Sequence, residues 1–104
     1  MSMTIMISAG QGPAECRAFA AFVRSRILKE AAEAGFAVLS DEPVPAEGGL
    51  RSARIRMEVT KEDADARWIG SWQWICRSPF RPYHARHNWF VTVSLIADGA
   101  EVQT

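Results

Sequence analysis

The chain has 104 residues, 48% of them hydrophobic and 23% charged, with a formal net charge of zero. This is the composition of one ordinary globular domain. A chain of this size buries roughly two-thirds of its unfolded surface, enough for one core and not two. The charge balance excludes a uniformly basic nucleic-acid coat. No run approaches the roughly 18 apolar residues a membrane span needs, so no membrane partner is expected, and no basic segment followed by an apolar core opens the chain as a secretory signal would. Cys16 and Cys76 are isolated, without CxxC or Cys/His ligand spacing, and read as buried free thiols of a cytoplasmic protein.

In chain order, Thr4–Ser8 is a short β-prone run that Ala9-Gly10-Gln11-Gly12 breaks. Pro13 suits a first helical position, where its missing N–H costs nothing. A helix is predicted from Pro13 to Ala34, because Cys16, Phe19, Ala20, Val23, Ile27 and Ala31 recur at three- and four-residue spacing. Arg17, Arg24, Lys29, Glu30 and Glu33 lie mainly off that stripe, and Gly35 is a good residue to end it. Phe36–Leu39 reads as a second strand. Asp41–Gly49, with two prolines, three acids and two glycines, reads as a loop.

Leu50–Val59 alternates, with Ala53, Ile55, Met57 and Val59 on one face and Ser52, Arg54, Arg56 and Glu58 on the other. Lys61–Trp68 is predicted as a short helix with Thr60 as N-cap. Ser71–Cys76 is a strand carrying Trp72 and Trp74 on one face, expected to pack in the core. Arg77–Arg86 is a polar loop, Asn88–Ile96 the last strand, and residues 97–104 a tail. The expected fold is α+β: a mainly antiparallel sheet packed against one long helix, in a single domain over residues 1–104.

Most candidate chemistry fails on spacing. Gly10-Gln11-Gly12 opens a helix but lacks the Lys-Ser/Thr pair of a phosphate-binding loop, and reads as a tight strand-to-helix connection. His84 and His87 are three apart with no third ligand nearby, so no metal is expected. No nucleophile has a poised base, and neither a cofactor nor a small-molecule substrate is implied. Charge distribution is more informative. Glu58, Glu62, Asp63 and Asp65 precede a stretch from Ala66 to Ala97 without Asp or Glu, which holds Arg67, Arg77, Arg81, Arg86, His84 and His87. Such a segment is a local electrostatic footprint for phosphate. Within it, Ser78-Pro79-Phe80-Arg81-Pro82-Tyr83-His84-Ala85-Arg86-His87 combines a hydroxyl, rings and guanidinium groups, the toolkit for single-stranded RNA. The other reading of the same residues is a solvated basic hairpin loop.

At this loop the chain resembles the class I peptide chain release factor family. Ser78-Pro79-Phe80 is similar to the tripeptide by which the UGA-reading bacterial member discriminates stop codons, and Arg86-His87 and Phe90 follow at that member's spacing. Ile7-Ser8-Ala9-Gly10 with Gly12 and Glu15 resembles the glycine-rich turn that opens the family's codon-recognition domain. Glu33 with Gly35-Phe36, Gly49-Leu50-Arg51-Ser52 and Gly70 match further landmarks in order, so the resemblance runs from Ile7 to Ala97. Gln73-Trp74-Ile75-Cys76, the Ser-Pro-aromatic-Arg-Pro run and Asn88-Trp89-Phe90-Val91 look like the release factor H branch.

The resemblance implies a domain that binds the ribosomal A site or decoding centre in translation termination or ribosome rescue. Its partners would be small-subunit rRNA and an mRNA stop codon, with a functional link to an RNA ligase. It implies recognition by Ser78, Pro79, Phe80 and His87, with Arg77, Arg81, Arg86, Arg54 and Arg56 holding phosphates; Ser78 would hydrogen-bond a base. The chain departs from the family pattern in Trp72-Gln73 before the tripeptide, in Arg81-Pro82-Tyr83-His84-Ala85 after it, and at Trp89. These departures extend the expectation to an altered decoding site. The family's catalytic Gly-Gly-Gln is absent from the sequence, so no catalytic residue and no hydrolysis of peptidyl-tRNA by this domain alone is expected. The alternatives are a standalone protein-interaction module docking through Trp89, Phe80 and Tyr83, and a truncated remnant of a release factor homologue.

Overall fold

The computed structural model describes residues 2–81 and 83–97. The elements are β1 (Ser2–Ser8), α1 (Ala14–Ala34), β2 (Val38–Ala46), β3 (Gly49–Glu58), α2 (Lys61–Arg67), β4 (Gly70–Ile75) and β5 (Asn88–Ala97). The strands form a five-stranded sheet in the order β2-β3-β1-β5-β4, each neighbour antiparallel to the next. The fold is therefore α+β, with a long helix lying on one face of an antiparallel sheet. Ala97, predicted to begin the tail, is the last residue of β5, and the rest of the predicted tail, residues 98–104, lies outside the described residues.

Period-2 and period-3.6 patterns meet at the core. Register aligns Ile5 with Ile55 and Leu95, and Ile7 with Ala53 and Val93. These residues, Leu95 only partly buried, face α1, which contributes Cys16, Phe19, Ala20, Val23, Ile27 and Ala31. Trp72 and Trp74 lie on the same face, half-buried, and Trp74 stacks on Phe19 with centroids 5.4 Å apart. Trp68 and Trp89 are both buried; Trp68 donates its indole N–H to Glu30 Oε1 at 3.0 Å. Removing such apolar surface from water is the main favourable term in folding.

The helix limits follow local chemistry. Gly35 adopts φ 83° and its N–H bonds back to the last turn, while Phe36 donates to Ala31 O at 2.9 Å. Thr60 caps α2 by accepting from the Asp63 N–H at 3.1 Å. Pro13 is the extended N-cap of α1 rather than its first helical residue; the helical dihedrals begin one position later than predicted.

The larger correction concerns the segment read as a short strand and a loop. The strand begins at Val38 rather than Phe36 and continues to Ala46, so most of the predicted loop Asp41–Gly49 is β2. Only Glu47-Gly48 turns, with Gly48 at φ 89°. The physical reason is position: β2 is an edge strand, where Pro43 and Pro45 need not donate to a second neighbour and Glu42 is exposed to water. Asp41 pairs with Arg24 of α1. The hairpin tip presses on the helix so closely that a Cβ on Gly49 would sit 2.2 Å from the Arg17 carbonyl oxygen. Among the described residues, no helix is long and apolar enough to cross a membrane.

Candidate nucleic-acid interface

The β4–β5 loop is closed at its base by two contacts. Cys76 donates its backbone N–H to His87 O at 2.9 Å, and the Trp89 indole N–H bonds Cys76 O at 3.1 Å. Trp89, beside the loop, is fully buried. Arg86 covers it, with its guanidinium carbon 4.7 Å from the ring centroid, and His84 lies 5.8 Å away ring to ring. Arg86 also bonds Asn88 O at 2.6 Å, and its backbone N–H donates to His84 Nδ1 at 3.0 Å. The tryptophan is thus a floor for the loop rather than an exposed docking ring.

The front of the loop folds onto the first turn of α1. The Ser78 hydroxyl donates to Glu15 Oε2 at 2.5 Å and accepts from the backbone N–H groups of Phe80 (3.1 Å) and Arg81 (2.8 Å). Arg81 places Nε on Glu15 Oε2 at 2.8 Å and Nη2 on Oε1 at 2.7 Å. Glu15 is completely buried and Ser78 nearly so. The hydrogen bonds from Arg81, reinforced by Ser78, hold the Glu15 carboxyl at about 2, against burial, which acts in the opposite direction.

The predicted recognition residues therefore divide. Pro79, Phe80 and His87 are exposed, as are Arg77 and Tyr83, the last almost completely. The side chains of Arg77 and His87 form no hydrogen bond, ion pair or ring contact among the described residues. Ser78 is buried with its hydroxyl bonded internally, Arg81 is paired with Glu15, and Arg86 lies on Trp89. Arg54 and Arg56 point from the sheet face opposite α1, where Arg54 is level with Met6 and Ser94. That is roughly 20 Å along the strand direction from Asn88, at about 3.4 Å per residue. The loop does not gather these two arginines.

Glu15, known from the sequence only as part of the turn that opens the domain, is the loop's partner on α1, and its pairing with Ser78 and Arg81 was not foreseen. It lies four residues before Phe19, in line with the buried stripe through Val23, Ile27 and Ala31. A carboxylate on a buried helix face requires a partner, and that was the available signal. The Gly10-Gln11-Gly12 turn connects β1 to α1 as predicted, with Gly10 at φ 59°. Beside it lies a polar cavity of about 280 Å³ also lined by Arg17, Ala46, Glu47 and Arg51. Arg17 reaches across, donating to Glu47 O at 2.6 Å and Gly12 O at 3.0 Å. Among the described residues, no group of three or more His, Cys, Asp or Glu is arranged to hold a metal.

No family model matches the chain. A peptide chain release factor homolog from Escherichia coli is 38% identical over 92 residues, covering 86% of this chain and 45% of that protein. The structure of RF2 of Thermus thermophilus superposes with a TM-score of 0.74 at 23% identity, over 99% of this chain and 31% of that one, which is a likeness of fold. The chain thus spans less than half the length of either protein. Over the region compared, the chain is similar to a peptide chain release factor homolog and shares the fold of the matching part of RF2.

Proposed function

We propose that this domain binds the ribosomal A site, with the β4–β5 loop facing the decoding centre, in translation termination or ribosome rescue in the cytoplasm. One observation carries the reading: a loop free of acidic residues is held firmly at both ends while Phe80, Tyr83, His87 and Arg77 remain turned to solvent. Phe80 and His87 supply faces on which an unpaired base stacks, and Pro79 stiffens the turn that leads into Phe80. Arg77 contacts phosphate, and the outer surface of Arg86 adds positive potential. Arg54 and Arg56 form a separate basic patch on the open sheet face. In this reading the domain supplies binding and not hydrolysis, since the sequence holds no Gly-Gly-Gln. A link to an RNA ligase rests only on the resemblance to the release factor H branch.

The test is binding of the purified chain to ribosomes programmed with a stop codon, with decoding-centre RNA intact or cut. Affinity should fall steeply with salt, because phosphate contacts release counterions. The reading is overturned if Phe80→Ala combined with His87→Ala leaves binding to both kinds of ribosome unchanged. A second reading, docking on a protein, is favoured by the exposure of Phe80 and Tyr83. Capture of a protein partner that survives high salt and nuclease, lost in Tyr83→Ala, would select it.

A further inference from the structure

A serine hydroxyl has one hydrogen to donate and two lone pairs that accept. In Ser78 all three are engaged within the protein: the hydrogen on Glu15, the lone pairs on the N–H groups of Phe80 and Arg81. Nothing remains to meet a base edge. Glu15, in turn, receives Ser78 and both donors of one Arg81 edge. Among the described residues no buried side-chain N or O is left without a partner. The contacts span 63 and 66 residues of sequence, so they tie the loop to the helix rather than merely shape a turn.

We infer that Glu15 is a positioning residue for the reading loop. It engages the Ser78 hydroxyl and one edge of the Arg81 guanidinium to clamp the Ser-Pro-Phe-Arg turn against α1. The loop then offers its partner Phe80, Tyr83 and His87, and discrimination between bases does not come from the Ser78 hydroxyl. Arg81 is correspondingly a clamp component and not a phosphate contact. What the loop touches rests on the RNA-reading proposal above; the clamp is a property of the free protein and is tested separately.

The first arm is amide hydrogen exchange on the free chain. In wild type the Phe80 and Arg81 amides, both bonded to the Ser78 hydroxyl, should be protected. In Glu15→Gln, and in Ser78→Ala, their exchange should rise at least tenfold while the amides of β1 keep their protection. Unchanged protection at Phe80 and Arg81 in Glu15→Gln overturns the clamp, and so does an equal loss across β1, which would make the contact part of the global fold. Arg81→Lys, which keeps the charge but loses the planar fork, should loosen the same two amides to a smaller degree.

The second arm is ribosome binding with each base in turn at the second codon position. Base contacts specify whereas other contacts only position, so Ser78→Ala should weaken binding by the same factor for every base. A loss confined to one base would show that Ser78 reads it, and would overturn the inference while leaving RNA reading intact. Arg81→Gln should leave the salt dependence of affinity unchanged, whereas Arg77→Gln should flatten it by roughly one counterion; flattening in Arg81→Gln would overturn its assignment as clamp. If wild type fails to bind ribosomes at all, the RNA reading falls and the exchange result still decides the clamp.

Discussion

Glu15 and Arg81, 66 residues apart in sequence, meet in a two-bond ion pair with distances of 2.8 and 2.7 Å. The carboxylate is buried, while the Arg81 side chain remains 47% exposed. The pair joins the first turn of the long helix to the loop that distinguishes this domain from a bare α+β scaffold. Its partial exposure lets the guanidinium keep some hydration, which lowers the desolvation cost that burdens a fully buried pair.

This geometry predicts an acid sensitivity. The Glu15 carboxyl is held at about 2, below its ordinary 4.5, so at intermediate pH the unfolded chain binds a proton that the folded chain does not. The stabilisation is complete above about 4.5, declines as pH falls, and is gone below about 2. Urea unfolding of wild type and Glu15→Gln over this range should show a stability difference that shrinks steadily with acidification. A constant difference would mean that the carboxylate charge is not what stabilises the loop.

Trp89 is predicted to be structural. It is completely buried, roofed by Arg86, and bonded to Cys76 O. Trp89→Ala should destabilise the domain by about 3–5 kcal/mol, the usual cost of deleting a buried aromatic ring. Trp89→Phe keeps most of the packing, loses the indole hydrogen bond, and should cost about 1–2 kcal/mol. Denaturant midpoints measure both.

The β2–β3 hairpin leaves no room for a side chain at Gly49, where a Cβ would come within 2.2 Å of Arg17 O and 2.8 Å of Ala18 N, both backbone atoms. Gly49→Ala should cost about 1–3 kcal/mol or more as the hairpin is pushed from the helix. Gly35 provides the comparison: its φ is +83° but a Cβ there meets nothing within 4 Å, so Gly35→Ala should cost only about 1 kcal/mol of backbone strain. Equal effects in thermal unfolding would refute the close approach.

Thr60 accepts from the Asp63 amide at the start of α2. Thr60→Ala should cost about 1 kcal/mol, while Thr60→Ser or Thr60→Asp should retain most of the stability. The midpoint of thermal unfolding resolves these cases.

Much of the scaffold was determined by sequence alone because its signals are local. The stripe from Cys16 to Ala31 specified the long helix, the alternation through Ala53, Ile55 and Met57 specified a half-buried strand, and Thr60 marked the next helix start. Local composition misread β2, since prolines and acids disfavour a strand in general but are accommodated at a sheet edge, and no local signal says which strand is the edge. The same division runs through the site. Sequence identified the basic ring-bearing loop and its family resemblance. Tertiary structure decided what each side chain in it is available to do, bringing Glu15 to Ser78 and Arg81, laying Arg86 over Trp89, and leaving Arg77, Phe80, Tyr83 and His87 outward. A side chain's type sets which bonds it can make, but its availability depends on partners supplied by distant parts of the chain, and only the folded sheet and helix bring those partners within reach.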